Sequence, residues 1–178
     1  MIKKIIVLTI LSSFISCIYI GIPKNEFEQY RYSKKNPFLF QLKMRDGEEK
    51  KIESIIDLNS IYVNNYTVQG RNYKRYLKFY KNGRVAIYSG EKLPEGEFDP
   101  RKSRMGVYEM KNGKLYYEYF IYWIQSGHVK LRKEVFVDKN SNDGSIQTEL
   151  IRPKSQRPEE ITYQKFPDSS QIKILPDW

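Results

Sequence analysis

Few groups in this chain are equipped for covalent chemistry. It contains one histidine, His128, and one cysteine, Cys17. Nucleophilic catalysis needs a hydroxyl or thiol beside a base that takes its proton. His128 stands at a turn, on the polar side of a strand-like run, where a solvated side chain is expected. One histidine and one cysteine leave zinc without its common ligands. Neither Gly-x-x-x-x-Gly-Lys nor Gly-x-Gly-x-x-Gly occurs, so the sequence shows no nucleotide cradle. Glu91, Glu95, Glu97 and Asp99 cluster in a Pro/Gly-containing loop. Paired acids cleave glycosides, but polar surroundings do not raise a carboxyl pKa as general-acid work requires. Asp138 to Gly144, with Glu149 in twelfth place, echoes a calcium loop. The glycine falls one place late and strands flank the segment, so Asx turns in a hairpin loop explain it without metal. The expectation is a non-enzymatic protein with no catalytic residue, no metal and no cofactor. A hydrolase using the acids of 91–99 ranks last.

Aromatic residues offer more. The chain has 15 Tyr, 9 Phe and 2 Trp, and the densest run is Tyr116 to Trp123. In a strand these rings divide between two faces. Tyr117, Tyr119 and Trp123 fall with Leu115 and Ile121, whereas Tyr116, Phe120 and Tyr122 fall with Glu118. Tyr117, Tyr119 and Trp123, with Phe79, are the candidate lining for a small apolar or amphipathic ligand, tyrosine hydroxyls orienting a polar head. The competing reading is that the rings simply fill a core. Aromatics interleaved with basic residues also suit single-stranded nucleic acid, a partner that the cellular address derived below argues against.

The elements that must carry these rings are strands. Ile61 to Val68, Tyr76 to Tyr80 and Arg84 to Tyr88 are rich in β-branched and aromatic residues. So are Met105 to Met110, Leu115 to Ile124, Val129 to Val137, Ile146 to Ile151 and Glu160 to Phe166. Asn82-Gly83 and Asn112-Gly113 are strong hairpin signals, because both turn positions must accept positive φ. In the sixth run Val129, Leu131, Val135 and Val137 share one face, broken only by Lys133. His128, Lys130, Arg132, Glu134 and Phe136 share the other. The fold expected is all-β, an antiparallel up-and-down meander of eight strands. It either closes into a barrel, which leaves no exposed edge, or stays an open meander or sandwich. Ahead of it, Phe38 to Leu42 reads as a short strand, Glu26 to Lys35 as a polar tether and Glu48 to Ile56 as a short helix.

Two segments carry a resemblance to a known family. Phe79-Tyr80-Lys81-Asn82-Gly83-Arg84-Val85 and Gly106-Val107-Tyr108-Glu109-Met110-Lys111-Asn112-Gly113-Lys114-Leu115 resemble the hairpins of lipocalin-like bacterial lipoproteins, over roughly Ile61 to Phe166. The Gly-x-Trp opening strand of true lipocalins does not occur. The resemblance implies an eight-stranded, calycin-type barrel able to hold one small apolar ligand.

The N-terminus supplies an address. Lys3 and Lys4 precede the apolar run Ile5 to Ile15, a length suited to secretion. Phe14-Ile15-Ser16-Cys17 resembles the lipobox of bacterial lipoproteins, in which the cysteine is acylated and becomes the first residue. The expectation is a signal peptide over 1–16, a lipidated and irregular segment over 17–56, and a barrel domain over 57–178. Diacylglyceryl and amide-linked acyl groups, palmitate among them, anchor stably because they supply more than one chain. An uncleaved signal anchor, extended by Ile18 to Ile22, is the alternative, and it also leaves the domain outside the cytoplasm. No acidic cluster follows Cys17, so a periplasmic location in the cell envelope is expected. The formal charge is +10, and +8 once Lys3 and Lys4 are removed. The basic residues are scattered rather than clustered, which reads as a solvated surface. Two roles follow as expectations: a membrane-tethered ligand-binding barrel, or a structural or interaction module with a solid interior.

Overall fold

A computed structural model describes residues 23–31, 38, 40, 48–91, 98–123, 128–137, 144–151 and 159–166. Cys17, the apolar run before it, Glu95, Glu97 and the Asp138–Asp143 stretch lie outside these residues. A short helix, α1 (Glu48–Glu53), precedes eight strands. These are β1 (Ile61–Val68), β2 (Arg71–Phe79), β3 (Arg84–Gly90), β4 (Arg104–Lys111), β5 (Lys114–Trp123), β6 (His128–Val137), β7 (Ile146–Leu150) and β8 (Glu159–Phe166). Each strand pairs antiparallel with the next, and β8 returns to β1, so the sheet is a closed barrel. The closing seam is short: Ile61, Tyr62 and Val63 pair with Phe166, Lys165 and Gln164.

Turn chemistry explains the tight connections. Asn112 and Gly113 have φ of 52° and 75° between the paired Lys111 and Lys114, a two-residue turn whose twist suits the flanking strands. Gln69 and Gly70, at 51° and 77°, make the same turn between β1 and β2, at a place where no Asn-Gly marks it. At Asn82-Gly83 only the glycine takes positive φ; the Gly83 amide donates to the Tyr80 carbonyl and the Tyr80 amide to the Arg84 carbonyl, giving a longer loop.

The interior is assembled from alternate residues of every strand. Phe79 sits at its centre, with the rings of Tyr62, Tyr108, Tyr117 and Phe136 at 6.3, 5.4, 5.9 and 5.6 Å. All five rings are buried. An eight-stranded barrel is just wide enough for such side chains to fill it. Gly106 makes the packing possible, since a Cβ there would lie 2.8 Å from the Glu118 carbonyl oxygen and 2.8 Å from Val85 Cγ1.

The lower end, where β1 begins, is plugged. Ile52 from α1, together with Ile56 and Leu58, joins the same core as Tyr62, Phe79 and Leu115. Asp57 secures the plug: its amide donates to Tyr62 Oη at 2.7 Å, and its carboxylate accepts from Ser60 Oγ at 2.7 Å. Lys165 Nζ lies 2.6 Å from the same carboxylate.

Two pieces of chain cover apolar patches on the outer wall. Phe38 and Phe40 pack over Met105, Val107 and Phe120, with Leu131 alongside. Neither of these two residues is in a strand, and the rest of the strand expected at 38–42 lies outside the described residues. Phe98 covers β2 and β3, with its ring 5.8 Å from Tyr76 and 5.2 Å from Tyr88. The sixth strand therefore faces opposite to the simplest reading of its pattern. Phe136 and Glu134 point inward and are buried, while Leu131 belongs to the covered outer wall. Lys133 interrupts that outer row because its Nζ lies 3.7 Å from Glu118, a buried carboxylate that also accepts from the Phe40 amide at 2.8 Å. Arg31, read as part of the tether, is docked: its Nη1 donates to the Ser103 carbonyl at 3.1 Å, and just ahead of the tether Asn25 Nδ2 donates to the Arg101 carbonyl at 2.6 Å.

Gly106→Ala is expected to destabilise by about 1–3 kcal/mol, because the added methyl meets backbone in a closed interior. Thermal unfolding should show a Tm lower by several degrees, and an unchanged Tm would mean the wall yields at no cost. The bond to Lys165 and those from Ser60 and Asn59 hold the Asp57 carboxyl at about 2, below its ordinary 3.8. Its contribution is complete above the ordinary value and is lost as pH falls through 3.8 towards 2. Both partners are well exposed, which limits the effect to about 1 kcal/mol. Wild type and Asp57→Asn should differ in stability at pH 6 and converge near pH 2.

Candidate functional site

Glu134 lies midway along the barrel with no exposed side-chain surface. It faces inward because β6 presents its even-numbered residues to the core, as Phe136 does two positions on. A carboxylate there must collect donors or remain neutral. Tyr119 Oη donates to it at 3.0 Å, Thr148 Oγ1 at 2.8 Å and Arg132 Nε at 2.9 Å. Tyr117 Oη donates as well, and lies 3.4 Å from Tyr163 Oη. Arg75 Nη1 is 3.8 Å from the same carboxylate and donates to Tyr163 Oη at 3.4 Å. The donors come from β5, β6 and β7, and the Arg75 charge adds β2, so one side chain ties together half of the wall.

Electrostatics hold this network in one protonation pattern. Burial, then the Glu134 charge, lifts the phenols of Tyr117 and Tyr119 well above their ordinary range, so both remain donors. Tyr163 rises to about 12 for the same two reasons. Burial pulls Arg75 and Arg132 down, yet Tyr119 and Glu134 leave both above their ordinary values.

Above this layer the interior becomes basic. Arg75, Arg104 and Arg132 come from alternate strands, β2, β4 and β6, and all three lie partly buried. Arg75 lies over the Tyr66 ring at 5.3 Å, and Tyr66 stacks on Tyr73 at 5.7 Å. Arg132 lies over the Tyr119 ring at 6.0 Å. A concavity of about 380 Å³ at the rim is lined by Tyr66, Tyr73, Asn65 and Glu91. A second, of about 160 Å³, lies in the wall where β4 no longer pairs with the upper end of β3, and Arg104, Ser89 and Gln29 line it.

The candidate residues distribute unevenly over this picture. Phe79, Tyr117 and Tyr119 are all inward and buried, and Tyr117 meets both of the others. They are packed among other rings rather than around a void. Trp123 pairs in the backbone with His128 at the end of the β5–β6 ladder; the side chains of both lie outside the described residues. Asp99 caps the short 3₁₀ turn Pro100–Lys102 and pairs with Arg101 at 2.8 Å, a contact that lowers its pKa. Glu91 lies 3.8 Å from the exposed Arg71. Glu149 pairs with Glu160 and Val135 in the ladders, and Gly144 takes a φ of 72°. Glu134, Arg75, Arg104 and Arg132 escaped the sequence reading. Phe136, a large apolar residue in the polar row of β6, was the signal that this row faces the core.

Glu134→Gln keeps the shape but loses the charge that balances Arg132, and its amide brings donors to face donors. Breaking a buried pair in this way costs about 3 kcal/mol or more, or roughly a 10 °C fall in Tm. Denaturant unfolding of the variant measures it, and a loss under 1 kcal/mol would mean that the Glu134–Arg132 pair contributes little to the fold.

Comparison with known proteins returns no matching protein family, curated protein or solved structure.

Proposed function

We propose that this chain is a lipid-anchored lipoprotein of the bacterial envelope, non-enzymatic, whose barrel binds a small amphipathic molecule at its upper end. The observation that carries the binding reading is the split interior. Below Glu134 interlocked rings fill the barrel and Ile52 and Ile56 pack against its end, with a concavity of about 400 Å³ beside Leu115 and Phe136 at the lower edge. Above it, Tyr66 and Tyr73 form an aromatic platform beside charged side chains and two openings. An apolar tail would lie along the platform while its polar head meets the arginines. The signal-like run and Ser16-Cys17 support the anchorage, as does the resemblance to lipocalin-like lipoproteins. Nucleic acid is not proposed as a partner, since an extracytoplasmic address removes it from reach.

The packed lower half favours a second reading, a solid structural or interaction module with its function on the surface. Mass spectrometry of the full chain purified from bacterial membranes separates these readings. The expected result is a polypeptide beginning at Cys17 with acyl groups attached, and a stoichiometric amphiphile in the denaturing extract. A chain still beginning at Met1 overturns the anchorage. Protein that stays ligand-free after incubation with a total lipid extract overturns the binding reading and leaves the module.

A further inference from the structure

We propose that the upper barrel is a built anion site, in which Arg75, Arg104 and Arg132 hold the carboxylate or phosphate head of its ligand. The inference rests on the amphiphile-binding reading and names the chemistry of the head.

The charge balance carries the argument. Among the described residues the interior layer contains three guanidinium groups, and Glu134 is the carboxylate facing two of them, Arg75 and Arg132. Glu134 is already saturated by Tyr117, Tyr119, Thr148 and Arg132, and Arg75 reaches it only at 3.8 Å. Two positive charges are thus left without a counter-charge among the described residues. Donors of this layer are idle as well: among the described residues, Arg75 Nε and Arg132 Nη2 are buried with no hydrogen-bond partner. Buried donors left unpaired are costly, and unpaired buried charges more so.

Arg104 shows that the three groups feel one another. Burial is the main influence lowering its pKa, and the charges of Arg75 and Arg132 push it the same way. A bound anion would relieve both effects. Arg104 also lines the 160 Å³ opening in the wall, with Lys102 and Gln29 beside it. An anionic group entering there meets a planar fork of donors first, and forks of this kind bind carboxylate and phosphate in two-point fashion.

The source of the anion is either a fatty or phosphorylated amphiphile or a free oxyanion such as inorganic phosphate. Titration of the full chain in a non-ionic detergent at low salt, with decanoate, decanol and inorganic phosphate as probes, distinguishes them. Thermal unfolding and calorimetry provide the readouts. Decanoate is expected to bind at least tenfold more tightly than decanol, and Arg104→Gln to remove that preference. Without ligand, Arg104→Gln should unfold at the wild-type temperature or above, because it deletes a repelled charge, so weakened binding could not be ascribed to misfolding. Phosphate binding as tightly as decanoate, with decanol silent, keeps the anion site and overturns the amphiphile reading. Decanol binding as well as decanoate, both indifferent to Arg104→Gln, overturns the anion site and keeps the amphiphile reading. Silence from all three probes overturns both.

Discussion

A carboxylate sealed from water sets the terms for the rest of this barrel. Glu134 sits where the effective dielectric is low, so its charge persists only if hydrogen bonds and a cation replace the lost solvent. The sequence answers with hydroxyls from Tyr117, Tyr119 and Thr148 and a guanidinium from Arg132. Those partners fix register across three neighbouring strands. Tyr117 opposes Glu134 directly, and Phe136 opposes Thr148. A one-residue slip would turn Glu134 to the outer wall and bring Val135 or Lys133 into the network. The polar centre thus does what hydrophobic packing alone does poorly: it selects one register among several of similar burial.

The same residue divides the interior into two unlike halves. Below it, rings interlock and α1 packs against the end, beside a concavity of about 400 Å³ lined by Leu115 and Phe136. Above it, charge accumulates beyond what Glu134 neutralises. A fold selected for stability alone would place aliphatic side chains there, because replacing buried ions by packed apolar groups is neutral or stabilising. Local violations of folding rules concentrate at functional sites. The arginine layer is such a violation, and the packed lower half provides the rigid base on which it stands.

Much of this architecture is legible in the sequence, and what escapes does so for identifiable reasons. Strand number and order follow from β-branched and aromatic runs separated by turn residues. Asn112-Gly113 makes its expected turn, because both residues take positive φ. Asn82-Gly83 does not, since a hydrogen-bonded loop from Tyr80 to Arg84 holds Asn82 at negative φ and only Gly83 at positive φ. Tyr117, Tyr119 and Phe79 fall on the inner face as alternation requires, yet whether they line a void or fill it depends on how rings from opposite walls meet. Facing in β6 is where periodicity misleads. A barrel whose outer wall is covered by Phe38 and Phe40 makes its outer row apolar, and a barrel with an ionic interior makes its inner row polar. The usual inference from polarity to exposure then runs backwards. Closure was open for a related reason, since three residue pairs between β1 and β8 leave no periodic trace.

Geometry also bears on how the proposed anchor and the proposed site relate. The described chain begins at Pro23, and Asn25 and Arg31 dock on the Arg101–Ser103 segment at the upper end. Pro23 lies six residue steps beyond Cys17, and a fully extended chain of that length spans at most about 20 Å. A lipid on Cys17 would therefore hold the upper end, rather than the plugged lower end, close to the bilayer surface. Gln29, within the docked segment, lines the same opening as Arg104. An amphiphile leaving the membrane would then have a short path to the arginine layer. Under that proposal the docked Asn25 and Arg31 would orient the barrel, which an undocked tether of the same composition would not do.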